Sequence, residues 1–308
     1  MNDIIHAMKE ALLYVTYQEE RLYYPYLLSS IAIVIALYAA KNKNLKGVLS
    51  YLFPLKRYWH IGTFNDAFLL ILNHILNTVF VLPFVISGIK LGYYIQEIMN
   101  ENIFYSSFTF NEPTLAIIYA VCFFVVNDFS RFYIHYLLHK IPFLWEFHKV
   151  HHSAEIMSPI TLYRSHPVEA VLNQLRGILI SGLVTGIFLW ISPYQLPAYM
   201  VWGVHFGTFI FNLLGANLRH SHVWWSFGPK LEKLFISPAQ HQIHHSNKQE
   251  HYDKNMGSEL AVWDYLFKTL YITKQKKENI KFGISPEETK EHRNILSILF
   301  SPFRKIFK

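Results

Sequence analysis

Three histidine clusters concentrate the chemistry of this 308-residue chain: His135-x-x-x-His139, His148-x-x-His151-His152 and His241-x-x-His244-His245. Twelve of the 17 histidines fall between His135 and His245. Spacings of i, i+3 and i+4 stack side chains one helical turn apart. Imidazoles so placed can aim nitrogen lone pairs at a common metal ion. At this histidine frequency His-x-x-His-His should arise by chance about 0.05 times, yet it occurs twice. The clusters supply eight imidazoles, more than the roughly six a single ion accepts, so two ions are expected. Imidazole suits Fe, Zn, Cu and Ni. The single cysteine, Cys122, excludes a disulfide framework and any Cys-based zinc or iron–sulfur cluster. The chain has no His-Glu-x-x-His and no Glu-x-x-His. Their absence argues against that kind of zinc protease and against the carboxylate-rich di-iron bundle.

These clusters must be held by apolar helices. Hydrophobic residues make up 52% of the chain and charged residues 16%, against about 25% in soluble domains. Aromatics reach 17%, which excludes a disordered chain. The net charge of +7, on so apolar a chain, points to an anionic membrane surface rather than nucleic acid. Five apolar runs (24–40, 67–89, 114–126, 178–192 and 195–215) predict an all-α integral membrane protein. It would have four to five transmembrane helices under a cytoplasmic helical cap that holds a dinuclear site. Asn73, His74 and Asn77 make one face of the second run polar, and Ser192-Pro193-Tyr194 breaks the last two.

Flanking charge orients the spans. Residues 41–57 hold Lys41, Lys43, Lys46, Lys56 and Arg57 without an acid, while 1–23 and 91–113 are net acidic. The positive-inside tendency places 41–57, 139–170 and the C-terminal third in the cytoplasm. The expected location is an inner membrane in a bacterium or the endoplasmic reticulum in a eukaryote, with the metal site facing the cytoplasm. No cleavable signal peptide is evident. Three regions are expected: 1–60 with the first membrane helix, 61–272 as the catalytic membrane domain, and 273–308 as a basic tail, solvated or lipid-facing.

Beyond the histidines, the chain resembles the fatty acid hydroxylase/sterol desaturase superfamily over roughly residues 115–272. The match includes Asp128-Phe129 with Tyr133 before the first cluster, Trp145 through Ser153 around the second, and Thr161, Arg164 and Ser165-His166-Pro167 after it. It continues through Ser237-Pro238-Ala239-Gln240-His241 to Ser246, then Asn255-x-Gly257 and Trp263-Asp264-x-x-Phe267. Among members, alkylglycerol monooxygenase-like and bacterial sterol-desaturase-like proteins look nearest. Met256 and Lys268 depart from the usual closing signature, where aromatic and Gly residues are commoner.

The resemblance implies two Fe ions, O2 as co-substrate and a lipid substrate from the bilayer: sterol, fatty acyl chain, ether lipid or carotenoid. It implies hydroxylation or desaturation. It also implies a further ligand histidine between the second and third clusters. His220 matches best, His222 is its rival, and His205 is weaker. The candidate metal ligands are therefore His135, His139, His148, His151, His152, His220, His222, His241, His244 and His245. Asp128, two turns before His135, could orient a ligand imidazole or bond Arg131; Asp264 could support the site or cap a helix. His166 reads as facing a ligand or the substrate. Arg164 and Arg219 could pair with acids or lipid phosphate, or simply be solvated. Trp224-Trp225 reads as an interfacial belt. No His-Pro-Gly-Gly haem segment is present, so electrons must come from a separate donor of ferredoxin, cytochrome b5 or reductase type.

Two rival classes remain at this point. One is a zinc-dependent membrane hydrolase, for which Glu146 beside His148 is the only acid inside a cluster. The other is a metal-binding transporter or non-catalytic membrane protein. A transporter should place its ligands at the bilayer midplane, whereas these clusters follow the spans.

Overall fold

The computed structural model describes residue 10 and residues 13–103, 111–191, 207–274 and 276–307. It is helical throughout; among the described residues, strand pairing is limited to two isolated bridges, Phe235 with Leu260 and Ser246 with Phe282. Three helices are long and apolar enough to cross a membrane: α1 (Tyr24–Asn42), α4 (Glu112–Lys140) and α6 (Pro167–Ile191). At 1.5 Å per residue, even α1 reaches about 28 Å, close to the hydrocarbon thickness. Local chemistry sets the ends. Pro25, Pro113 and Pro167 open the three helices, where a missing N–H costs nothing. The Asn111 side chain accepts from the Thr114 N–H, and α1 closes on Lys43 in the left-handed conformation.

Between them, α2 (Ile61–Leu76) runs through a π-helical turn at Asn77–Val81 into α3 (Leu82–Asn102). Neither α2, at 16 residues, nor α3 is among those three. The polar face of the second apolar run is put to use: Asn73 donates to the Ser165 carbonyl at 3.0 Å, and Tyr14 Oη and His74 Nδ1 lie 2.7 Å apart. Three of the expected four to five spans are thus met among the described residues. The 195–215 run, the 192–194 break and His205 lie almost wholly outside the described residues.

Helix α3 meets α6 through glycines at helical spacing, Gly88 and Gly92 against Gly182 and Gly186. A Cβ on Gly186 would come within 2.6 Å of the Gly92 carbonyl, and one on Gly182 within 2.7 Å of the Gly88 carbonyl. Small residues let backbones touch where lipid offers no hydrophobic drive between helices. Outward positions of α4 and α6, such as Ile117, Val121 and Leu179, are exposed and apolar.

Short helices form the cap: α5 (Pro142–His152), α7 (Pro238–His244), α8 (Val262–Leu266) and α9 (Ile295–Ile306). One expectation is corrected here. The 273–308 segment is not a peripheral tail, because α9 buries Ile298 completely against Leu69 of α2 and Val150 of α5. The Arg164 guanidinium reaches from Asp66 of α2 (2.9 Å) to the Val150 carbonyl (3.0 Å) and the His292 carbonyl (3.0 Å). Only 2% of Arg164 is exposed, so it staples α2, α5 and the C-terminal segment rather than being solvated. Losing one partner of such a buried pair costs about 3–5 kcal/mol.

Candidate metal centre

Nine of the ten candidate histidines come together in two adjoining groups. His135, His139, His148, His152 and His244 form the first; His151, His220, His241 and His245 form the second. Within each group one nitrogen per ring lies within 4.8 Å of all the others. The division follows from helical geometry. In each His-x-x-His-His cluster the i and i+4 rings share a face and enter one group, while the i+3 ring turns into the other. Helix α5 gives His148 and His152 to the first group and His151 to the second; α7 with His245 gives the converse. The groups touch, with the His152 ring 4.6 Å from both His244 and His245.

The outer nitrogens fix the tautomers. His135 Nδ1–H donates to the Met256 carbonyl at 2.7 Å, and His244 Nδ1–H to the Lys254 carbonyl at 2.9 Å. His148 Nδ1 lies 3.0 Å from Glu169 Oε1, and His139 Nδ1 lies 3.3 Å from Asp253 Oδ1. In the second group His151 Nδ1–H donates to the Arg164 carbonyl at 3.1 Å. Carbonyls and carboxylates accept only, so in these five rings Nδ1 carries the proton and Nε2 presents a lone pair inward.

That assignment tests whether the residues fit a metal. His135 Nε2 and His148 Nε2 lie 3.0 Å apart, each a bare lone pair, and no hydrogen bond can join them. Nε2 of His139, His152 and His244 are buried without a hydrogen-bond partner among the described residues. Four inward lone pairs in one pocket, beside the His152 ring, repel one another unless a cation is shared, so the donor set fits a metal ion. In the second group, His220 Nε2 lies 3.0 Å from His241 Nε2 and 3.4 Å from His151 Nε2.

Burial holds the rings neutral and available to ligate. Desolvation first, then the charges of neighbouring imidazoles, pushes His148, His152, His220, His241 and His245 well below the ordinary histidine range. Desolvation likewise pushes His151 down to about 4. Trp145 packs against His139 and His152 at 5.2 and 5.4 Å, walling the first group.

Several assignments from sequence change. His222 stands outside both groups, its ring edge-on to Tyr51 at 4.8 Å. Asp128 touches neither an imidazole nor Arg131. It accepts from the Glu259 and Leu260 backbone N–H groups (2.9 and 3.1 Å) and from Trp263 Nε1 (2.8 Å), pinning the 259–263 turn to α4. Arg131 instead faces Glu259 at 3.5 Å. Asp264 accepts from the Met256 and Gly257 N–H groups, both at 2.8 Å, and from Thr269 Oγ1 at 2.6 Å. It thereby sets the Met256 carbonyl that holds His135, acting through the backbone and not on a reacting atom. A Cβ on Gly257 would lie 2.8 Å from Asp264 Oδ2, which explains glycine there. His166 donates to the Leu299 carbonyl at 3.1 Å and anchors α9. Arg219 is buried over the Phe211 ring at 4.5 Å. Glu146 pairs with Lys149 at 2.5 Å.

Glu169 and Asp253 escaped the sequence reading. An acid in the first turn of α6 reads as an ordinary complement to a helix N-terminus, and Asp253 lies in a polar loop beside Lys254. For Glu169, the available signal was a lone carboxylate opening an otherwise apolar helix, two residues after Pro167.

Buried histidines of this number, on a scaffold with helices long and apolar enough to cross a membrane, form a site that could hold metal ions. The match to known proteins is narrower: residues 120–269 fit the family described as Fatty acid hydroxylase. Over 158 residues it is 27% identical to alkylglycerol monooxygenase of Xenopus tropicalis, covering 51% of this chain and 31% of that one. It is 27% identical over 184 residues to an ornithine lipid hydroxylase of Rhizobium tropici, covering 59% and 49%. It is 23% identical over 177 residues to a Δ7-sterol 5(6)-desaturase of Aspergillus fumigatus, covering 53% and 52%. The chain thus spans about a third to a half of the length of these relatives. No solved structure matches.

Proposed function

We propose that this protein is an O2-dependent membrane oxidoreductase that hydroxylates or desaturates a lipid. Two iron ions would be held by the nine grouped histidines, and electrons would come from a separate donor of ferredoxin, cytochrome b5 or reductase type. The observation that carries this is the pair of inward-facing imidazole groups whose outer nitrogens are tied down. Five imidazoles in one group exceed the four ligands of a closed zinc site, which favours a metal of higher coordination number. The names of the relatives, a monooxygenase, a hydroxylase and a desaturase, support the same class.

When bound, the irons supply O2 activation and the oxidant for a substrate C–H bond. The chain's own residues do the rest. Glu169 and Asp253 place negative charge behind His148 and His139, raising their donor strength. Asp264 and Asp128 fix the 256–264 turn, and so the carbonyl behind His135. Trp145 keeps water from one wall. The exposed apolar faces of α1, α4 and α6 open the cap to substrate from the bilayer, with the metal centre on the cytoplasmic side. The test is lipid profiling of membranes with iron-loaded protein, donor and O2. Products that need O2 and vanish in His151→Ala support the reading; O2-dependent product retained by that variant contradicts it.

A further inference from the structure

His222 leads to a second site. Its ring lines a cavity of about 880 Å³ at the C-terminal end of α1, roofed by the Trp224 and Trp225 side chains. Four cations border it: Lys41, Arg57, Lys276 and Lys277. No acid lines it, and none of the four forms an ion pair among the described residues. Lys277 Nζ donates to the His222 carbonyl at 3.2 Å, closing one wall. The charges of Arg57 and Lys41, added to burial, push the Lys277 ammonium down. His222 Nε2 is buried with no hydrogen-bond partner among the described residues. A pocket with this much uncompensated positive charge is built for an anion.

A second, apolar cavity of about 190 Å³ shares Arg57, His222 and Val223 with the first. Its wall includes Leu27, Ile31 and Val34, one face of α1 at helical spacing, leading from the basic end toward the helix middle. The lining also includes Leu218 and Ser221, which flank His220 of the second histidine group in sequence. Basic and aromatic groups at the end of a spanning helix sit at head-group depth, and an apolar slot along the helix sits at chain depth.

We infer that the two cavities together bind one membrane phospholipid of net negative charge, head group among Lys41, Arg57, Lys276 and Lys277, chain in the slot beside His220. The proposed activity would then act on an anionic lipid; that second step rests on the oxygenase reading, whereas the binding does not.

The experiment titrates the full-length protein in detergent with phosphatidic acid or phosphatidylcholine and counts bound lipid by native mass spectrometry. Arg57→Gln/Lys277→Gln is compared with the surface control Lys230→Gln, with melting temperature and metal content as checks on folding. Each basic group near such a head group is worth about fivefold in affinity, so the double variant should lose roughly thirtyfold for phosphatidic acid. The control should lose none. Should the double variant melt early, the wild type still decides, because higher ionic strength must weaken phosphatidic acid binding and spare phosphatidylcholine. Equal binding of the two lipids, or no loss in a folded double variant, overturns the site. Inorganic phosphate or glycerol phosphate binding as tightly as the lipid would make this a soluble-phosphate site and overturn the lipid assignment. Anionic lipid bound but left unoxidised under O2, while another lipid is oxidised, overturns the anionic-substrate step and leaves the site; oxidation without charge preference leaves the oxygenase reading and removes the site.

Discussion

The two histidine groups draw on the same clusters, but their surroundings differ. Behind the first stand two carboxylates, Glu169 and Asp253, and two carbonyls, of Met256 and Lys254. Behind the second the described outer bond is one carbonyl, Arg164, itself held by the buried Arg164–Asp66 pair; Nδ1 of His241 and of His245 have no hydrogen-bond partner among the described residues. The first group is thus the more negative and the more firmly oriented, with five imidazoles against four. Charge behind an imidazole strengthens its donor nitrogen, so the two ions of the proposed centre should differ in affinity and in redox behaviour.

The largest effects should come from removing one ring from each group. His148→Ala and His151→Ala should each abolish turnover, and metal analysis should show loss centred on the first group in one and on the second in the other. A variant retaining both metals and full activity would break the division. Next, Asp66→Ala should destabilise the protein by about 3–5 kcal/mol in a thermal or chemical melt, since it strands the Arg164 charge. Because the Arg164 carbonyl holds His151, metal should leave the second group before the first.

Acid should act with similar size on the metal-free protein. Unfolded, His151 takes a proton near pH 6.5; folded, only near 4. Between those values the unfolded state binds more protons, so stability falls as pH drops through that window, by roughly 3 kcal/mol for this residue. Melting temperatures at pH 7.5 and pH 5 check this, and bound metal should blunt the fall. Glu169→Gln is subtler: it keeps the shape and removes the charge, and should weaken metal binding about 10- to 100-fold in the first group alone. Competition with a chelator would read it, and an equal loss from both groups would refute the asymmetry. The smallest change should come from Lys268→Gly. Lys268 has φ 62°, a left-handed conformation that glycine takes freely, so the variant should melt slightly higher, by up to about 1 kcal/mol, with metal binding unchanged.

Much of this centre is legible in the sequence because helical spacing is a local property. His135 with His139, and the two His-x-x-His-His clusters, carry their geometry in the chain itself. What the sequence hides is which ring goes to which group, since that depends on how α5 and α7 face each other. It also hides partners distant in the chain. Glu169 reaches His148 across 21 residues, and Asp128 reaches the 259–263 turn across more than a hundred. His220 and His222 look equivalent as neighbours, yet the 3₁₀ turn at Ala216–His220 sends one ring to the metal groups and the other to the basic cavity. The C-terminal segment misleads because its charges read as solvated, while Lys149 and Lys305 both pair with Glu288 and Ile298 is buried.

The most direct test of the central claim is elemental mass spectrometry of protein purified in mild detergent after growth in iron-replete medium. Two occupied imidazole groups predict about two irons per chain. About one metal per chain, or zinc that iron reconstitution cannot replace, would contradict it.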